Sequence, residues 1–153
     1  MGANIRSIGL SIAGLFFLIG CNQFVPLLNP DIQPIESGLT SEQVSKAIRI
    51  GGVSAGWVIE ESGSDRMIGT LSIRMHQVIV VILYDDSKYS INYKSSRNMK
   101  IFCTERDKNK QNIKITGNRS CPGYRDPKYI HKAYDQWIKN LDRNIKAELI
   151  RAS

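Results

Sequence analysis

Between Arg66 and Lys94 the sequence alternates with a period of two through successive runs, and this is the feature that most restricts the fold. In Arg66 to Met75 the residues Met67, Leu71, Ile73 and Met75 share one face, with Thr70, Ser72 and Arg74 opposite. Gln77 to Tyr84 is apolar on both faces, Val78, Val80 and Ile82 against Ile79, Val81 and Leu83, as expected of a central strand. Asp85-Asp86-Ser87 then turns the chain into Lys88 to Lys94, where Tyr89, Ile91 and Tyr93 alternate with polar partners. Upstream, Trp57 to Glu61 leads into the turn-rich Ser62-Gly63-Ser64-Asp65. Together these runs predict a four-stranded antiparallel meander.

Helical signals flank the strands. Thr40-Ser41-Glu42-Gln43 matches a capping box, with Thr40 as N-cap and Gln43 reaching back. The helix it opens places Val44, Ala47 and Ile48 on one face, and Gly51-Gly52 marks its end, with Gly56 as the alternative. At the other terminus Asp126-Pro127 has the form of an N-cap and first helical residue. Ile130, Tyr134, Trp137, Leu141, Ile145 and Leu149 follow at three- and four-residue steps, an amphipathic stripe that predicts packing on one sheet face. Between meander and helix, Ile101 and Cys103 alternate on one side of a polar loop, Glu105 to Asn112, and Ile113 and Ile115 on the other, which predicts a protruding hairpin. The fold class is α+β. A length of 153 residues with 42% hydrophobic content suits one folded domain and excludes a two-domain enzyme or a disordered chain.

The N-terminus carries a different message. Arg6 is the sole charge before an apolar run, Ile8 to Ile19, whose length fits an export signal better than the roughly 20 residues of a membrane span. It ends in Leu18-Ile19-Gly20-Cys21, which resembles the lipobox of bacterial lipoproteins. That resemblance implies a diacylglyceryl group on the Cys21 thiol, cleavage before Cys21, and acylation of the freed amine. It also implies residence in the cell envelope, with Asn22 rather than aspartate after the cysteine favouring the periplasmic leaflet of the outer membrane. Each buried methylene contributes about 0.8 kcal/mol, so two or three chains hold the protein firmly. On this reading residues 1–20 are a signal peptide, 21–38 a lipidated tether and 39–153 a single periplasmic domain. Pro26, Pro30 and Pro34 oppose helix and sheet in the tether, which would let the domain stand roughly 55 Å from the bilayer. Docking of Phe24, Val25, Leu27 and Leu28 on the domain is the alternative. With Cys21 consumed by lipid, export leaves Cys103 and Cys121 as a balanced pair in an oxidising compartment, and a disulfide between them would staple the hairpin.

Charge divides the mature chain near Ser87. From Cys21 to Ser87 four basic residues face eight acids, a balance of −4; from Lys88 onward sixteen basic residues face six acids, a balance of +10. The asymmetry predicts a basic surface on the hairpin, through Lys108, Lys110 and Lys114, and on the C-terminal helix. Its natural partners in an envelope are anionic lipid or glycan, or an acidic protein patch. Nucleic acid is a poor partner for an envelope-anchored chain. A solvated surface with no specific partner is the alternative.

Catalytic patterns are not evident. Gly-x-Ser-x-Gly, His-Glu-x-x-His and a phosphate-binding glycine loop do not occur, and two histidines, His76 and His131, offer little for a metal site. No cofactor is expected. Glu60-Glu61 would point to opposite faces of a strand, and Asp85-Asp86 sits where a turn favours aspartate. One polar cluster is worth testing: Arg97 and Asn98 end the last meander strand, while His131, Tyr134 and Asp135 lie early in the helical pattern. Folding the helix back on the sheet would bring them together, as an internal network, an anion or peptide site, or, less plainly, a small hydrolase centre.

Gly56-Trp57-Val58, Arg74-Met75-His76, Tyr89 to Asn98, and Ile130 to Trp137 are similar to stretches of small proteobacterial lipoproteins, over most of residues 40 to 145, with the segment holding Cys103 and Cys121 as an insertion. This resemblance implies an envelope lipoprotein and supplies no reaction, ligand or catalytic residue. The function expected is therefore a non-enzymatic binding or assembly module anchored to a membrane, with a structural tether of a larger machine or an envelope hydrolase as alternatives.

Overall fold

The structure, a computed structural model, describes residues 24–27, 29–36, 38–106, 112–117 and 128–153, of which 102–106, 112–117 and 128 are described by backbone alone. In chain order the elements are β1 (Phe24–Pro26), β2 (Gln33–Pro34), α1 (Ser41–Ser54), β3 (Val58–Gly63), β4 (Arg66–Ile73), β5 (His76–Tyr84), β6 (Lys88–Arg97), β7 (Ile101–Arg106), β8 (Asn112–Gly117), β9 (Lys128–His131) and α2 (Ala133–Ala152). Among the described residues the architecture is α+β, two helices with antiparallel sheets. One sheet has the order β2-β6-β5-β4-β3 and the other β1-β9-β7-β8.

Alternation fixes which residues face the core. Met67 lies opposite Ile82, which lies opposite Ile91, and all three are at most 1% exposed. Full burial of each contributes roughly 1.5–3 kcal/mol. Both helices reach this inner face. Tyr89 Oη donates to Asp142 Oδ1 of α2 at 2.7 Å, the Tyr93 and Tyr134 rings meet edge to face at 5.6 Å, and Arg49 of α1 pairs with Glu61 of β3.

The capping box forms as its residues require: Gln43 N–H donates to Thr40 Oγ1, and Thr40 N–H donates to Gln43 Oε1. The helix does not end at Gly51-Gly52. It continues to Ser54, with Gly56 beyond it at φ +84°, the left-handed geometry that glycine tolerates. The two glycines are interior because α2 crosses at Gly51 and β3 packs at Gly52. A Cβ on Gly51 would lie 2.7 Å from the Ile145 backbone, and one on Gly52 would strike the Ile59 side chain. Their signal was close approach, which reads like termination in a sequence.

Three other expectations change. The C-terminal helix starts at Ala133, because Lys128–His131 is drawn into a strand that pairs with β7 on one side and β1 on the other. Ile130 is thus a buried strand residue, and the buried stripe of α2 runs Tyr134, Ile138, Leu141, Ile145, Leu149, with Trp137 half-buried beside it. Asp126 and Pro127 lie outside the described residues. The hairpin pairs Ile101 with Gly117 and Cys103 with Ile115, but it belongs to a wider sheet rather than standing alone.

The third change concerns the proline-rich segment. From Phe24 it is folded onto the domain: Val25 pairs with Ile130, Asn29 Oδ1 accepts the Tyr93 N–H at 2.9 Å, and Gln33 pairs with Tyr89. It forms a strap along the β6 edge, and its prolines sit at strand ends and in the irregular link, where a missing N–H costs little. Val25 and Leu27 pack against the core, as the docking alternative required; Leu28 lies outside the described residues.

Candidate interaction surface

The polar groups expected to converge do so only in part. Tyr93 and Tyr134 meet, and the Tyr93 hydroxyl hydrogen-bonds Ser96 Oγ at 2.9 Å. Tyr134 is 2% exposed, its hydroxyl has no hydrogen-bond partner among the described residues, and burial raises its pKa above the ordinary tyrosine value. Arg97 is exposed on the opposite face of the sheet, in register with Gln77 and Ser72. Asn98 is a structural clamp: at φ +57° its side-chain amide donates to the Met75 carbonyl at 2.7 Å, and its own carbonyl lies 2.9 Å from His76 Nδ1. His131 Nδ1 accepts the Ala133 N–H at 3.3 Å, so the imidazole caps the start of α2. Among the described residues no hydrogen bond links Arg97 with His131.

The acid pairs do not converge on one site either. Glu61 turns inward to Arg49, while Glu60 shares the outer face with Ile68. Asp85 Oδ1 accepts from Ser87 Oγ, Ser87 N–H and Lys88 N–H at 2.6–2.9 Å, and these bonds, the Ser87 hydroxyl foremost, hold its carboxyl below the usual value. Among the described residues no group of three His, Cys, Asp or Glu side chains is placed to hold a metal ion, and no helix is long and apolar enough to cross a membrane. Cys21, Lys108, Lys110 and Cys121 lie outside the described residues. Cys103 and Lys114 are described by backbone alone, opposite Ile115 and Thr104.

What the fold does assemble is an apolar sheet face. Both helices touch the five-stranded sheet through inner-face side chains, so the outer rows face away from them. One row runs Val58, Thr70, Ile79, Ser95, and the next Glu60, Ile68, Val81, Asn92. Leu83 extends the apolar area between Arg66 and Ser90. Val58 is 61% and Leu83 38% exposed, with Ile68, Ile79 and Val81 half-buried between strands. β3 is the terminal strand of this sheet, so half of its backbone donors and acceptors point outward with no strand beyond them among the described residues. Sequence reading marked β5 as apolar on both faces; the exposure of one of those faces follows from the helices sharing the other.

The surface concavities offer less. An open groove of about 210 Å³ between the strap and the end of α2 is lined by Ile35, Leu39, Leu149 and Ile150 together with Glu36, Lys146 and Ser153. No family model, curated protein or solved structure matches this chain.

Proposed function

We propose that the protein is a lipid-anchored envelope lipoprotein, attached through Cys21, that acts as a non-enzymatic binding or assembly module for another envelope protein. The outer membrane, facing the periplasm, is the favoured location. The observation that carries this reading is the apolar outer sheet face continuous with the β3 edge. An edge strand offers main-chain hydrogen bonds to an added strand, and the side chains beside it supply selectivity. Glu60 on that face disfavours pairing with a second copy of the same strand, where like charges would meet, and favours a partner carrying a cation there. A tether role within a larger machine is the stoichiometric version of the same reading. The hydrolase alternative gains no support from a set in which Arg97 and His131 serve different parts of the fold.

The test is in-cell crosslinking from photoreactive residues placed at Val58 and Val81, with capture at low and high salt and identification by mass spectrometry. One dominant protein adduct at both positions that survives high salt is the expected result. Adducts only with lipid or glycan, lost at high salt, would replace the packed face with an electrostatic contact. Acylation of Cys21 is read from the mass of the N-terminal peptide in the same sample.

A further inference from the structure

The strands give the domain two ends, and one of them gathers features that point to a membrane surface. The β4–β5 turn at Arg74-Met75 lies at this end, and Asn98 is bonded to it directly. Two residues on, the Lys100 carbonyl accepts the His131 N–H at 3.2 Å, and His131 pairs with Phe24. Lys132 follows. Arg74, Arg97, Lys100 and Lys132 are all exposed here. Asp135, early in α2, is paired with Lys139 at 2.8 Å. The opposite end instead carries the turns with Asp65, Asp85 and Asp86.

Two further observations give this end a direction. Met75 is 75% and Ile73 38% exposed, unusual display for apolar residues at a hairpin tip. The tip is held rigidly: Arg74 has φ +55°, a left-handed conformation costly for a side chain other than glycine, and Asn98 clamps the following carbonyl. The second observation is chain length. Only Asn22 and Gln23 separate Cys21 from the docked Phe24, so their Cα atoms are at most about 11 Å apart. Seventeen residues of reach shrink to two once the strap is folded.

Resting on the lipoprotein reading above, we propose that this end of the domain docks on the anionic phospholipid headgroups of the membrane that holds Cys21, with Arg74, Arg97, Lys100 and Lys132 at the headgroups and Met75 and Ile73 at the interface. Cations within a Debye length of an anionic surface are attracted to it, and long basic side chains reach headgroups while their stems stay apolar. The acidic turns then face away from the bilayer, and the outer sheet face stands roughly upright beside it, open to a partner anchored in the same membrane.

The experiment uses the full chain in its native cells, with a photoreactive residue at Met75 in one strain and at Asp86 in another. Phospholipid adducts are quantified by mass spectrometry, and the N-terminal peptide mass is read in parallel. With Cys21 acylated, phospholipid adducts at position 75 and not at 86 are expected. Adding Arg74→Glu and Lys132→Glu lowers the yield at 75 by about fivefold or more while circular dichroism stays unchanged. Acylated protein with equal yields at 75 and 86, with protein or lipid A adducts alone at 75, or with a yield indifferent to the two charge reversals, overturns the docking and leaves the lipoprotein reading standing. An unacylated Cys21 overturns both.

Discussion

The two faces of β5, the central strand of the five-stranded sheet, carry much the same apolar side chains, yet they have opposite fates. On the inner face Val78, Val80 and Ile82 are fully buried; one residue away on the outer face Ile79 and Val81 are half-buried and Leu83 is 38% exposed. Hydropathy does not separate the two sets. The difference is that two helices cover one side and none contacts the other through the bonds and packing that define the core. An apolar residue therefore becomes core or candidate interface according to what lies above it, a decision made outside its own strand.

That contrast is most severely broken at the helix crossing. Gly51→Ala places a methyl group against the Ile145 backbone, which cannot rotate aside, and should destabilise the protein by about 3 kcal/mol or more in urea unfolding. Gly52→Ala should cost less, since the atoms it meets belong to the Ile59 side chain. A loss no larger at Gly51 than at Gly52 would mean the helices are not packed this closely.

A smaller loss is expected where the inner face meets α2 through polar atoms. Tyr89→Phe removes a hydrogen bond to the Asp142 carboxylate and should cost about 1.5–2 kcal/mol. The same residue sharpens the contrast through pH. Burial, then the Asp142 bond and charge, raises the Tyr89 pKa, and burial raises those of Tyr134 and Tyr93. A raised folded value means that the unfolded chain loses its protons first. The stabilisation is complete below about pH 10 and declines above it. Urea midpoints should fall from about pH 8 to about pH 11, with a shallower fall in Tyr89→Phe.

On the outer face the expectation reverses: Val81→Thr and Val58→Ser should change stability by only about 0.5 kcal/mol, while the dominant crosslinked partner is lost. Destabilisation comparable to the inner-face variants, with the partner retained, would make the outer face ordinary core. The smallest effect belongs to a turn. Asp85 has a lowered carboxyl pKa and contributes above the ordinary value of 3.8, so its contribution fades as pH falls through the folded value, and Asp85→Asn should flatten the acid limb of the stability profile slightly.

Local patterns were legible. The capping box at Thr40, the turn chemistry of Asp85 and the alternation of β4 to β6 are set by residues a few positions apart, so the sequence alone announces them. Gly51 was misread because a glycine that admits a neighbouring helix looks the same as one that ends its own. β9 was misread because Ile130, Tyr134 and Leu141 keep a helical step even though the first of them is claimed by β7 and β1. The candidate polar cluster dissolved for a related reason: strict period-two alternation would put Tyr93 and Arg97, four residues apart, on the same face, and the bulge at Ile79/Val80 moves Arg97 to the other one.

By itself, then, the sequence determined the α+β class, the alternation of β4 and β5 and the Leu18-Ile19-Gly20-Cys21 pattern, all of which depend on neighbours along the chain. Tertiary structure alone decided that the proline-rich strap lies along β6 and leaves two residues before Cys21. It also decided which face of the evenly apolar β5 stays open and which charges gather at one end. These depend on contacts between residues far apart in sequence, where the cost of closing the chain is offset only by the packing that closure creates.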